Sequence, residues 1–256
     1  MSAFSIADNF NQYFKIRFAH SKSLRQEAFK IRYGVYSAEL GWEPSNSSQM
    51  ETDEYDHCAF HCLLEHRRTN TFAGCIRLII PPVSNQNLPL PFEKNCLQSA
   101  RKEVLDPSTL KRGSFGEISR LAVLSDFRRR EKEQQVPFVI KDIDPNTIYS
   151  EDERRNFPNI AMGLYLSGLA LASICNHTGI FVMMEPRLNR RLQRFGLPFV
   201  QVGDEMDYHG MRAMYYLPEN VFMAELNEEM LKLYRLIHDE LLQQMCLIPY
   251  TDLADS

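Results

Sequence analysis

Residues 114–124 read Ser-Phe-Gly-Glu-Ile-Ser-Arg-Leu-Ala-Val-Leu, an apolar run suited to a strand packed on both faces, yet it carries Glu117, Ser119 and Arg120. A carboxylate, a hydroxyl and a guanidinium in such a place can accept a proton, hold a water and bind an anion. An ion taken out of water costs several kcal/mol unless it is paired and hydrogen-bonded, so each group needs a neighbour from elsewhere. Strand alternation puts Glu117 and Ser119 on one face and Arg120 on the other, serving different neighbours. Taken alone, the stretch fits a structural ion pair at a sheet edge as well as it fits a functional site.

The elements that would position these groups follow from periodicity. Residues 21–41 predict one helix, capped by Ser21 or Ser23 and ended by Gly41, with Leu24, Ala28, Ile31, Val35 and Leu40 at helical spacing. Arg32 and Tyr36 lie four apart on one face of it, and Trp42, the single tryptophan, follows. A polar loop then leads into the acidic run Glu51-Thr-Asp53-Glu54-Tyr55-Asp56. Residues 59–67 and 71–80 predict two antiparallel strands, the second with Arg77 inside it. Residues 83–112 read as irregular, with one short helix near 93–103, and 125–158 as a charged, proline-punctuated insertion. Asn159 opens a helix over 160–176 that is apolar all round, with Gly163 and Gly168 permitting close approach. A strand at 179–185, a basic helix at 186–195, strands at 197–202 and 211–217, and one long amphipathic helix at 219–247 complete the chain. Phe10, Tyr13 and Phe14 form a short amphipathic element suited to a peripheral membrane contact or to packing on the core. The expected fold is a mixed α/β sheet with helices on both faces, in a single domain over 1–256.

The 256 residues are 44% hydrophobic and 24% charged, enough apolar content for a sizeable core, and the net charge of −4 argues against nucleic acid as the main partner. Residues 1–17 lack the apolar segment of a secretory signal, and no stretch predicts a membrane span. Cys58, Cys62, Cys75, Cys96, Cys175 and Cys246 are too scattered for a disulfide framework, so the expected location is the cytoplasm. His57-Cys58-x2-His61-Cys62 has zinc-ligand residue types. It enters a strand, however, where residues four apart lie roughly 13 Å apart along the chain, and the structural reading prevails, with no metal expected.

Arg32-x3-Tyr36-x5-Trp42, Glu51-x-Asp53-x2-Asp56, Gly74-Cys75-Ile76-Arg77-Leu78 and Glu117-Ile118-Ser119-Arg120 together form a pattern. With these spacings the chain resembles the acyl-homoserine-lactone (autoinducer) synthases of the GNAT superfamily, which the N-acyl amino acid synthases also resemble. Nine charged or aromatic positions in register over about a third of the chain make the match specific. Tyr36 departs from it, standing where those synthases usually carry Phe. The insertion and the long C-terminal helix exceed the compact autoinducer enzymes and look most like the acyltransferases associated with the PEP-CTERM/exosortase system. The resemblance implies a GNAT-like acyltransferase with a mixed central sheet, transferring an acyl group from an acyl-carrier-protein thioester to the amine of an amino acid or related acceptor. It implies no permanently bound cofactor, only the acyl-phosphopantetheine donor. The alternatives are homoserine-lactone synthesis itself, an acyl-CoA-dependent enzyme, and a non-catalytic carrier- or lipid-binding module.

On this reading Glu117 is the base that takes the proton from the amine, with Ser119 helping to hold a bridging water. Arg32, Tyr36, Trp42, Asp53, Asp56, Arg77 and Arg120 are the expected substrate-binding residues. Arg77 suits either a bidentate grip on a carboxylate or an ion pair that stiffens the site. The Gly-rich pyrophosphate loop of acetyl-CoA enzymes is missing after Leu124, which favours a carrier protein over free CoA. Arg187, Arg190, Arg191 and Arg194 fall at i, i+3, i+4 and i+7, a basic stripe that suits the acidic surface of a carrier protein, with Arg128–Arg130 as a second basic cluster.

Overall fold

The sheet grows outward from the strand that carries Glu117. In the computed structural model, which describes residues 5–128, 158–208 and 210–248, that strand is β4 (Phe115–Val123). On one side lie β3 (Thr71–Ile79), β2 (Ala59–His66) and β1 (Phe14–Phe18), all antiparallel neighbours. On the other lie β5 (Gly179–Met184), β8 (Met211–Pro218) and the short β6 (Val200–Gln201), with β7 (Met206–Asp207) also paired to β8. Only β4 and β5 run parallel, and their ladder extends from Phe115↔Gly179 to Ile118↔Val182. Both strands continue beyond that point without pairing to each other, so they part at Ser119 and Met183.

A second irregularity falls at the same place. The β3–β4 register passes from Cys75↔Ala122 to Arg77↔Ser119, so Arg120 and Leu121 together oppose Ile76. This is a β-bulge, and Arg120 sits in it with φ +53°, in the left-handed region that non-glycine residues rarely enter.

Helices cover both faces, as expected. On one lies α4 (Pro158–Ile174), buried at every position from Ile160 to Ala172, because its sequence offers no polar face to water. Against it pack α1 (Ile6–Tyr13) and α7 (Glu228–Cys246). A Cβ on Gly163 would stand 2.4 Å from the Phe10 ring, so only glycine allows this approach. On the opposite face α2 (Lys22–Arg32), capped by Ser21, packs on Leu63, Cys75 and Ala122 through Ala28 and Ile31.

Several boundaries differ from the sequence expectations. The helix at 21–41 is α-helical only to Arg32 and continues as a π-helix over Tyr33–Glu39. The C-terminal helix is two, α6 (Glu219–Glu225) and α7, because the Asn227 side chain accepts the Met230 N–H and caps a new start. Phe10 and Phe14 are buried, so the N-terminal aromatics pack on the core rather than face a membrane, and β1 was not foreseen. The short helix near 93–103 is α3 (Pro91–Asn95), followed by turns. The basic helix is α5 (Pro186–Gln193). Residues 129–157 of the expected insertion lie outside the described residues. Among the described residues no helix is long and apolar enough to cross a membrane.

Gly163→Val should destabilise the fold by about 1–3 kcal/mol through overpacking against Phe10, read as a lower melting temperature. Adding Phe10→Leu should recover part of that loss, and additive losses in the double variant would place the strain elsewhere.

Candidate active site

The bulge decides how the site is assembled. With strict alternation Ile118, Arg120 and Ala122 would share a face. Instead Ile118, Leu121 and Val123 face the α4 side, and Ala122 packs toward α2. Arg120 therefore joins Glu117 and Ser119 on the side away from α4, which corrects the expectation that it faces the other way. Its guanidinium lies 5.8 Å from the centre of the Tyr36 ring, and the Tyr36 hydroxyl donates to the Leu121 carbonyl at 2.7 Å. A phenylalanine there would leave that bulge carbonyl without this donor, which gives the Tyr36 departure a structural role.

Around the bulge runs a network of arginines and carboxylates. Arg32 is fully buried; its Nε donates to Glu51, and its two Nη atoms donate to Asp56 at 2.6 and 3.1 Å. Arg77 Nη1 donates to Asp53 at 2.6 Å and Asp56 at 2.8 Å, and its Nε donates to the Ser119 hydroxyl at 3.1 Å. Arg120 reaches Glu51 at 3.1 Å, Asp53 at 3.2 Å and Glu43 at 3.3 Å. Burial alone would raise the Asp56 carboxyl, but Arg32 and Arg77 outweigh it and hold Asp56 well below the usual carboxylate range. Glu51 and Asp53 are lowered likewise, against the same burial effect. His61, 3.6 Å from Asp56, is pushed down to about 3 by burial and the nearby Arg32 charge, so it is neutral at pH 7.

Glu117 has a different environment. It is 3% exposed, and its Oε2 accepts the Phe92 N–H at 2.8 Å. No cation among the described residues pairs with it, because the nearby arginines are held by other carboxylates. Burial pushes its carboxyl up to about 8, with the Phe92 N–H and the more distant Arg77 opposing.

A cavity of about 230 Å³ opens beside this group, where β4 and β5 separate. Of the residues expected from sequence, Glu117, Ser119 and Arg120 line it from β4 and Arg77 from β3. Tyr36, Trp42 and Asp53 line it from the α2 side, and the Trp42 ring stacks on Tyr36 at 6.0 Å. Arg32 and Asp56, expected as substrate contacts, lie behind this wall and hold its members in place. Met183 also lines the cavity from β5, a strand whose sequence suited the wall of an acyl tunnel, and Tyr55, Asn95, Tyr208 and Arg212 line it too and were missed. Arg212 and Tyr208 had no local signal, since they arrive from the far end of the sequence. The arginines of α5 and its C-cap do not line this cavity: Arg187, Arg190 and Arg194 are exposed and Arg191 is half-buried. Arg128 turns inward onto Glu39, with a side chain only 3% exposed, so it is no part of a basic docking surface, while Arg129 and Arg130 lie outside the described residues. His57, Cys58, His61 and Cys62 form no metal-binding cluster; His61 faces Asp56, and Cys62 is buried in the core.

Arg32→Lys should destabilise the protein by about 3–5 kcal/mol, because one ammonium cannot replace a guanidinium held by two buried carboxylates. Denaturant unfolding checks this, and a loss below about 1 kcal/mol would show that the network tolerates a point charge there.

Comparison with known proteins agrees with this architecture. Residues 31–136 match the family model described as an acetyltransferase (GNAT) domain. The chain is 41% identical over 59 residues to the acyl-homoserine-lactone synthase of Vibrio anguillarum, a match covering 23% of this chain and 30% of that relative. Among solved structures, BjaI, a CoA-dependent acyl-homoserine lactone synthase with SAM and isopentyl-CoA, superposes with a TM-score of 0.54 at 16% identity, covering 89% of this chain and 88% of that one. FeeM, an N-acyl amino acid synthase from uncultured soil microbes, gives a TM-score of 0.51 at 14% identity, covering 83% and 94%. The resemblance drawn from the motif spacing is thus matched in three dimensions: this chain has the GNAT fold, in the form shared by the acyl-homoserine-lactone synthases and the N-acyl amino acid synthase.

Proposed function

We propose that the chain is an N-acyltransferase that moves a fatty acyl group from an acyl-carrier-protein thioester to the amine of an amino acid or related small acceptor. The observation that carries this reading is the isolation of Glu117, a buried carboxyl with no counter-ion among the described residues, at the point where the central strands part. A structural ion would be paired, as Glu51, Asp53 and Asp56 are.

An α-amine has a pKa of about 7.7–8.0 and is mostly protonated at pH 7. A carboxyl near 8 is matched to it in strength; at pH 7 it is the ionised fraction of Glu117 that takes the proton, at little cost, directly or through a water held by Ser119. The freed nitrogen lone pair forms a bond to the thioester carbon, and negative charge develops on its oxygen. A β4 backbone N–H past Ile118, where pairing to β5 has ended, is the donor we assign to that oxygen. The C–S bond then breaks, the departing thiolate takes the second nitrogen proton, and Glu117 returns the first to solvent. No side chain becomes acylated.

The donor assignment rests on this chain's own surface, since BjaI is CoA-dependent. After Leu124 a 3-10 turn, Ser125–Phe127, stands where a pyrophosphate loop would be, and Arg128 points inward. The exposed arginines of α5, which begins two residues after β5 ends, suit the acidic surface of a carrier protein. The charged, arginine-rich sequence at 125–158 supports a place near the exosortase-associated acyltransferases. Acyl-homoserine-lactone synthesis is the second reading, favoured by the 59-residue match, and mass spectrometry of the product separates a lactone from a free N-acyl amino acid.

Glu117→Gln should lower thiol release from acyl-carrier protein, assayed with pooled amines, by about two to four decades at pH 7. Part of the loss should return at high pH, where the amine is already neutral. Undiminished activity would make Glu117 structural, and no thiol release from the wild type would leave the binding-module reading. Because the folded carboxyl titrates above its unfolded value, wild-type stability falls as pH rises from about 4.5 to about 8. Glu117→Gln should therefore melt higher than wild type at pH 9 and gain little at pH 4.

Arg190→Glu with Arg194→Glu should raise the KM for acyl-carrier protein at low salt, and the effect should shrink in high salt, because such charges are already screened over roughly 8 Å at physiological ionic strength. Acyl-pantetheine, which carries no protein surface, is the reference donor. A normal KM in the double variant would move the docking surface elsewhere.

A further inference from the structure

Four arginines stand in or around the cavity, and their partners differ. Arg32, Arg77 and Arg120 are each fixed by at least two carboxylates. Arg77, which sequence spacing offered as a grip for a substrate carboxylate, already donates to Asp53, Asp56 and Ser119. Arg212 is different. It lines the cavity from β8 with its guanidinium 5.3 Å from the centre of the Trp42 ring, and Trp42 is stacked in turn on Tyr36. Its Nε is buried without a hydrogen-bond partner, and no carboxylate among the described residues lies within ion-pair distance of it. A cation–π contact with an aromatic face uses none of a guanidinium's N–H groups, so these stay available for a planar anion, and a carboxylate satisfies them in bidentate fashion.

We infer that Arg212 is the anchor for the α-carboxylate of the acceptor, and that the enzyme selects amino acids over simple amines through this residue. The assignment rests on the proposed acyl transfer to an amine and names the acceptor class for it. Glu117 and Arg212 both line the one cavity, so an α-amino acid can present its amine to the first while its carboxylate meets the second. The cavity holds roughly the volume of eight waters, which suits a small acceptor. Arg212 is thus a specificity-determining group, and it takes no part in moving protons.

The test uses reaction products, so that it does not depend on turnover. N-Dodecanoyl derivatives of glycine, leucine and phenylalanine, each as the free acid and as the primary carboxamide, are titrated into the full-length protein. Binding is followed by calorimetry and by the fluorescence of Trp42, the chain's single tryptophan. At least one free acid should bind about 10- to 100-fold more tightly than its carboxamide. Arg212→Gln should erase that difference, and Arg212→Lys should restore only part of it. Equal binding of acid and carboxamide by the wild type, no binding of either, or a preference that survives Arg212→Gln would each overturn the assignment. The wild-type comparison decides even if a variant fails to fold. Preference for the acid in a protein that releases no thiol with any amine would keep Arg212 and remove the catalytic reading. Equal turnover of amino acids and their carboxamides would do the reverse.

Discussion

The site depends on neutralising guanidinium groups inside the protein. Arg32 and Arg77 are almost wholly removed from water, and Arg120 is partly so. Burying such charges costs several kcal/mol each, and the loss is offset only where geometry and hydrogen bonding are complete. Glu51, Asp53 and Asp56 meet that condition from one short acidic stretch, with Glu43 added at the rim. The network joins the end of α2, the acidic stretch and the two central strands, alongside the apolar cluster of Ala28, Ile31, Cys75 and Ala122. It fixes the wall of the cavity before any ligand arrives.

The bulge at Arg120 depends on the same network. A non-glycine residue held at positive φ costs about 1–3 kcal/mol and persists only where its surroundings over-determine it. Here the side chain is held by Glu51, Asp53 and Glu43, while the Tyr36 hydroxyl, presented by a π-helix, satisfies the next carbonyl. A bulge also bends its strand and increases its twist, and β4 leaves β5 at this point. One local irregularity thus accompanies both the gap between the strands and the gathering of Glu117, Ser119 and Arg120 on one side.

Within that frame, carboxylates of the same chemical type hold opposite protonation tendencies. Asp56, between two arginines, stays ionised far into the acid range, whereas Glu117, two residues along β4 from Arg77's partner Ser119, is pushed toward the neutral form. Burial raises both groups, more completely at Glu117, and only Asp56 has counter-ions that outweigh it, which separates a structural acid from a group fit to exchange protons near pH 8.

Much of this was present in the amino-acid sequence. Alternation and apolar runs marked β2 to β5 and α4, and the nine charged or aromatic positions predicted a shared site because a core gives such residues no other place. Local patterns did not reveal β1, the π-helix, or the break at Asn227, where short-range signals were weak or overruled by packing. Alternation placed Arg120 on the wrong face, because period-two reasoning assumes an unbroken ladder and a single residue at positive φ breaks it. Nor did the sequence say which arginine would stand unpaired. Arg32, Arg77, Arg120 and Arg212 look alike along the chain, and only the folded arrangement of distant carboxylates around three of them leaves the fourth facing the cavity. Residue types and their spacing determined that a charged site exists, whereas tertiary structure decided which charges cancel, since ion pairing depends on distances that close only when the sheet is built.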